Sequence, residues 1–206
     1  MQTPFIGRID EKAILQEALV SKEAEMIAVM GRRRVGKTFM IKTVYEKELV
    51  FDITGIQNGE LTNQLKVFGD RLKEFTQTPF SIPAPKDWFE ALQLLKEYLQ
   101  SLPKEKKHVI FFDELPWLAS HKSKFLEAFG YFWNSWAWQQ NLVVVICGSA
   151  ASWMINKVVN NTGGLYNRIT KRIYLQPFTL RETEEYLKAK NLNFTRYQIV
   201  QLYMTL

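Results

Sequence analysis

Short apolar runs alternate along the chain with longer stretches of mixed polarity. Met26–Met30 (MIAVM) is apolar at every position and ends at Gly31, which predicts a strand. Leu49–Ile53 (LVFDI), Val109–Phe112 (VIFF) and Leu142–Cys147 (LVVVIC) predict three more, and Arg172–Leu175 a shorter fifth. Runs without polar interruption suit strands covered on both faces, as in a parallel sheet. Between them, helices are predicted at about Lys37–Glu46, Leu61–Phe75, Trp88–Leu102, Ser123–Trp138, Ala150–Val158, Thr179–Lys190 and Thr195–Leu206. The tract Thr78–Pro85 (TPFSIPAP) carries three prolines and forbids one continuous helix across it. Asn160–Gly164 reads as a polar loop, and Pro177 marks a change of element. Thr179 with Glu182 fits the S/T-x-x-E capping box at a helix start. Alternating strands and helices predict an α/β fold with a largely parallel sheet. The last helix runs to the final residue with no glycine cap or polar tail, so the sequence reads as a piece of a longer protein.

Composition narrows the picture only slightly. The 206 residues are 47% hydrophobic and 23% charged, values of an ordinary globular protein. The one cysteine, Cys147, cannot form an internal disulfide, which points to a reducing, cytoplasmic setting. No apolar run approaches a membrane span, and the first residues lack a signal-peptide pattern, so no membrane role is expected. The net charge of +6 is compatible with anionic partners. Aromatic residues reach 14%, with six tryptophans, which raises a base-stacking surface as a reading. Their placement argues otherwise. Phe125, Phe129, Phe132, Trp133 and Trp136 recur at spacings of three and four, one stripe of a helix that must cover the sheet. Trp117 is the exception, lying just after a pair of acidic residues.

Candidate chemistry enters at residues 31–38, GRRRVGKT, which fit G-x-x-x-x-G-K-[ST] between a predicted strand and a predicted helix. Gly31 and Gly36 let the backbone curl so that successive N–H groups face phosphate oxygens. The helix start adds its positive dipole end. In this pattern Lys37 reaches the β- and γ-phosphates and the Thr38 hydroxyl ligates Mg²⁺. The phosphate-binding segment comprises Gly31, Arg32, Arg33, Arg34, Val35, Gly36, Lys37, Thr38 and Phe39. For the three arginines, phosphate, a partner and solvent all stay open, with solvent the default for at least two.

VIFFDE at 109–114 is a buried strand ending in two acids, the Walker B pattern. Asp113 would hold Mg²⁺ through its water shell, and Glu114 would polarise the attacking water. Ser149, at the tip of the fourth strand, is a candidate γ-phosphate sensor, and it equally fits a cap for the helix after it. Cys147 reads as an inert buried residue, since His108 and His121 form no triad pattern with it. Arg168 is either an arginine finger directed at a neighbouring subunit's nucleotide or a surface residue. No N-K-x-D guanine-reading segment is present, and paired acids disfavour a small-molecule kinase.

FIGRIDEKAIL, GRRRVGKT, VIFFDELPWL, VVVICGSAASWM and GLYNRITKRIYLQPFTLRE, in that order, resemble the archaeal-type P-loop ATPase family, close to the AAA+ and STAND groups and related to origin-recognition-like ATPases. The resemblance implies a three-layer ASCE/AAA+-like α/β fold with a five-stranded parallel sheet in the order 5-1-4-3-2. It implies an ATPase core over residues 1–176 and the beginning of a helical lid over 177–206. ATP and Mg²⁺ are the implied cofactors, and Phe5 and Ile6 the implied adenine contacts, with anchoring of the first helix as the alternative. An ATP-hydrolysing switch module is the function expected, with an ATP-regulated nucleic-acid-binding protein as the alternative. DNA would be a partner through a further C-terminal region, and a homo-oligomer or an unknown protein partner stays open.

Overall fold

A computed structural model describes residues 5–77, 83–120, 122–160, 164–165 and 167–205. Part of the proline tract, His121, most of the loop at 160–164 and the last residue therefore lie outside the described residues.

Five parallel strands form one sheet: β1 (Glu25–Met30), β2 (Leu49–Thr54), β3 (His108–Asp113), β4 (Leu142–Gly148) and β5 (Lys171–Tyr174). Their order is β2-β3-β4-β1-β5, which is the order implied by the resemblance, counted from the other edge. All residues of β1 and β4 are buried, as their unbroken apolar runs predict. Successive side chains point to opposite faces. Met26, Ala28 and Met30 therefore join one core with Ile110, Phe112, Val144 and Ile146. Ile27 and Val29 join the other with Val109, Phe111, Val145 and Cys147.

The second core is closed by α1 (Ile9–Val20) and α2 (Lys37–Val44) through Leu15, Met40 and Ile41. The first is closed by α3 (Leu61–Thr76), α4 (Trp88–Ser101) and α6 (Phe125–Ser135). Helix α4 starts where Asp87 accepts from the Glu90 N–H, a side-chain cap. The aromatic stripe is core: Phe125, Phe129, Phe132 and Trp133 are buried, and Phe112, Phe125 and Phe129 contact one another edge-on or stacked. Burial excludes base stacking by these four rings, and the half-buried Trp136 packs on Phe132.

Three elements differ from the expected ones. The helix expected over Ser123–Trp138 begins at Phe125 and ends at Ser135. At Trp136 the backbone leaves the helix, the ring packs on Phe132, and a 3₁₀ turn follows over Ala137–Gln139. The segment expected as one helix after β4 is a single turn, α7 (Ala151–Met154), followed by a wider π-helical turn at Ile155–Val159. A one-turn helix, α5 (Leu115–Leu118), follows β3 with a proline in its first turn, and no sequence pattern announced it. After β5 come α8 (Leu180–Ala189), with the expected capping box between Thr179 and Glu182, and α9 (Arg196–Thr205). Among the described residues no helix is long and apolar enough to cross a membrane.

Candidate functional site

The carboxyl ends of β1, β3 and β4 converge, and the candidate residues lie there. After Met30 the chain turns at Gly31, whose φ is +152°. A Cβ at this position would stand 2.3 Å from the Leu175 carbonyl oxygen, so the loop can pass the end of β5 only as glycine. Gly36 adopts φ +92° just before α2, and Arg34 is left-handed at +66°. Lys37, the first residue of α2, is buried, and its ammonium donates to the carbonyls of Gly31 (2.9 Å) and Arg32 (2.8 Å). The orphan N–H groups at the start of α2 complete an anion-attracting turn. Arg32, Arg33 and Arg34 are exposed.

Two motifs separated by 75 residues meet here. The Thr38 hydroxyl donates to Asp113 Oδ2 at 2.7 Å. Asp113 ends β3 and is buried, and its other oxygen accepts from the Glu114 N–H at 2.9 Å. Glu114 is left-handed at φ +47°, a conformation that costs a non-glycine residue about 1–2 kcal/mol. Gly55, after β2, makes room for that kink: a Cβ there would lie 2.8 Å from the Glu114 carbonyl oxygen. Gly55 was not legible as a site residue, because nothing local marks it.

The Glu114 carboxylate accepts from the Ser149 hydroxyl at 3.1 Å and from the Ser149 N–H at 3.4 Å. Helix α7 is preceded by Ala150 and has no side-chain cap, so Ser149 does not serve as one. The Arg33 Nε–H donates to the Ser149 Oγ at 3.5 Å, and the guanidinium lies over the Trp117 ring, 5.4 Å from its centroid. Below this cluster Cys147 is fully buried. Burial foremost, with the Asp113 carboxylate nearby, pushes its thiol well above the usual range, as an inert residue requires.

A second group gathers at the chain start. Phe5 stacks on Phe39 with centroids 5.7 Å apart, and Phe39 is 60% exposed. Ile6 is half-buried. The residue that sequence reasoning missed is Arg8, a buried cation. Its guanidinium donates to the Val35 carbonyl at 3.2 Å and covers the Phe178 ring at 4.6 Å, while its N–H donates to Glu182 Oε1 at 2.9 Å. Arg8 therefore ties the phosphate loop to the start of α8. Gly7 and Arg8 are both left-handed, which turns the chain into α1 at this point.

Glu182 responds to these contacts. Partial burial raises its pKa, but the Thr179 and Arg8 N–H donors, the Thr179 hydroxyl and the Arg8 charge together hold it below 4.5. The stabilisation it gives is therefore complete above pH 4.5 and is lost as pH falls through the folded value. Protection factors of the amides at the start of α8, exchange corrected for its intrinsic pH dependence, are expected to fall as pH drops below the usual carboxylate range in the wild type and to lose this dependence in Glu182→Gln. A wild-type profile that matches the variant's would overturn the assignment.

Arg168 stands apart. It is exposed, and Thr170, two residues on, bonds through its N–H to Met26 at the start of β1. That is roughly 16 Å along the strand from Gly31. The chain's own phosphate loop and Arg168 thus lie at opposite ends of β1.

Residues 5–198 match the family described as "ATPase domain predominantly from Archaea". An uncharacterized protein of Methanocaldococcus jannaschii is 27% identical over 187 residues, covering 88% of this chain and 38% of that protein. The Walker-type ATPase PABY2304 of Pyrococcus abyssi superposes with a TM-score of 0.66 at 19% identity, over 96% of this chain and 62% of that one. The ORC2 protein of Aeropyrum pernix, in its ADPNP–ADP complexes, gives 0.61 at 17% identity, over 93% of this chain and 54% of that one. These structural likenesses establish the fold, and the chain spans less than two thirds of each of these relatives. With the family matched across nearly the whole sequence, the chain belongs to the archaeal-type P-loop ATPase domain family.

Proposed function

We propose that this chain binds ATP with Mg²⁺ and hydrolyses it to ADP and phosphate, as the nucleotide-operated module of an AAA+/STAND-type switch protein. The observation that carries this reading is the Thr38–Asp113 contact, which joins the phosphate loop to the acidic strand end with Glu114 beside it. A hydroxyl and a carboxylate are hard oxygen donors, and Mg²⁺ typically takes one or two such protein ligands, completing its shell with water and phosphate. The donor set fits that ion: no cluster of three or more His, Cys, Asp or Glu able to hold a metal occurs among the described residues, and none is needed. Bound there, Mg²⁺ would neutralise charge on the β- and γ-phosphates.

The residues divide the remaining work. Backbone N–H groups of Gly31–Thr38 and the Lys37 ammonium grip the phosphates. Glu114 orients a water. That water adds to the γ-phosphorus, the bond to the β–γ bridging oxygen breaks, and the water's proton passes to Glu114. Ser149 holds the carboxylate in place through the two hydrogen bonds it donates. The Phe5–Phe39 pair, with Ile6, offers an apolar face for the adenine. Residues 177–206 begin the lid, and Arg8 relays phosphate-loop geometry to it, which suits a switch.

The test is equilibrium binding of a fluorescent ATP analogue with and without Mg²⁺. Lys37→Ala is expected to weaken binding about 10- to 100-fold, the worth of a charged hydrogen bond of about 1.5–3 kcal/mol. Equal binding by wild type and variant would overturn the reading.

A further inference from the structure

A terminal phosphate in transfer spreads negative charge over its equatorial oxygens, and an added guanidinium there accelerates the reaction about 10³- to 10⁵-fold. Arg168 is at the wrong end of β1 to supply it within one chain. Arg33 is not. Among the described residues it is the arginine whose hydrogen bond reaches the Glu114–Ser149 pair.

We propose that Arg33 is a catalytic arginine acting in cis: the phosphate loop supplies its own finger, steadied on the face of Trp117 beside Glu114. The inference rests on the ATPase reading.

Three observations carry it. Arg33 belongs to the loop that would hold the β- and γ-phosphates, so its backbone is within side-chain reach of the transferred group. Its Nε–H bonds to Ser149, whose own hydroxyl proton is directed at Glu114, so the cation sits at the acid that would orient the water. Its platform is rigid. The Trp117 N–H donates to the Glu114 carbonyl at 2.8 Å, and its carbonyl accepts from the buried Gln64 amide at 3.1 Å. Gln64 is locked in turn by two bonds to Ile56. Close approach of Gly55 to the Trp117 Cβ fixes the ring's root. A long exposed side chain ordinarily samples many rotamers, and stacking on a fixed indole restricts Arg33 to the direction of the acids. Solvation alone gives an arginine no reason to lie there.

Single-turnover ATP hydrolysis and binding of a non-hydrolysable analogue, both with Mg²⁺, test this in the full 206-residue chain. Arg33→Ala is expected to lower the hydrolysis rate about 10²-fold or more while analogue affinity changes less than about fivefold. Arg33→Lys should recover part of the rate, and Trp117→Leu should lose about tenfold by freeing the arginine. Wild-type specific activity should be constant on dilution, since no second copy is needed. Arg33→Ala turning over within threefold of an active wild type overturns the inference and leaves the ATPase reading intact. Specific activity that falls on dilution does the same, because the missing cation would then come from a neighbour. A wild type that binds but never hydrolyses overturns both.

Discussion

Glu114→Gln is expected to bind Mg-ATP as tightly as the wild type and to hydrolyse it at least about 100-fold more slowly. General-base assistance is worth about 10²- to 10⁴-fold, and the amide cannot accept the water's proton. The exchange isolates chemistry from structure. Glutamine has the same shape, so the left-handed backbone at 114 and its approach to Gly55 persist. Its amide oxygen still accepts from the Ser149 hydroxyl, as the carboxylate does at 3.1 Å. Lys37 keeps its bonds to the Gly31 and Arg32 carbonyls and Thr38 its bond to Asp113, so phosphate binding has no reason to weaken. Burst measurements of phosphate release, paired with analogue binding, check both halves. A variant that hydrolyses normally would show that the water is oriented by another group, and Ser149 would be the next to test.

The second large effect concerns Gly31 and is one of stability. Gly31→Ala is expected to cost about 3–4 kcal/mol, against about 1–2 kcal/mol for Gly36→Ala. Both positions have positive φ and strain any side chain. They differ in space. At Gly36 a methyl group meets nothing within 4 Å, whereas at Gly31 it meets the Leu175 carbonyl oxygen at 2.3 Å. That oxygen is backbone and cannot swing aside, so either β5 separates from β1 or the phosphate loop moves. Urea unfolding of the two variants side by side measures the difference. Equal losses would mean that the contact relaxes cheaply and that φ alone demands glycine.

The central strands β1 and β4 were legible because they are covered on both sides, which leaves no place for a charged residue within their apolar runs. β1 and β4 match their apolar runs to within one residue at an end. The phosphate loop was legible for a related reason: its residue types are dictated by local backbone geometry. What escaped depends on partners distant in sequence. Arg8 is unremarkable among its neighbours, and its role exists only because Val35 and Glu182, the latter 174 residues away, come to meet it. The Ser149–Glu114 bond spans 35 residues, so local sequence could offer capping of α7 as an equal reading. The end of α6 was misplaced because Trp136 continues the aromatic stripe in sequence while its backbone has already left the helix. Periodicity records which face is apolar and is silent on where φ changes.

The junction between β5 and α8 is short. β5 ends at Tyr174 and α8 begins at Leu180, leaving five residues, 175–179, between them. Five residues reach at most about 17 Å when fully stretched. The first of them, Leu175, already touches the phosphate loop at Gly31. Helix α8 is thus tethered beside the residue 31–38 loop, held there at an effective concentration of millimolar order or above. Contacts of the Arg8–Glu182 kind can then be individually weak and still be made most of the time. In the lid role proposed above, closure over the nucleotide would need little binding energy of its own, and small changes at the loop would suffice to reset it.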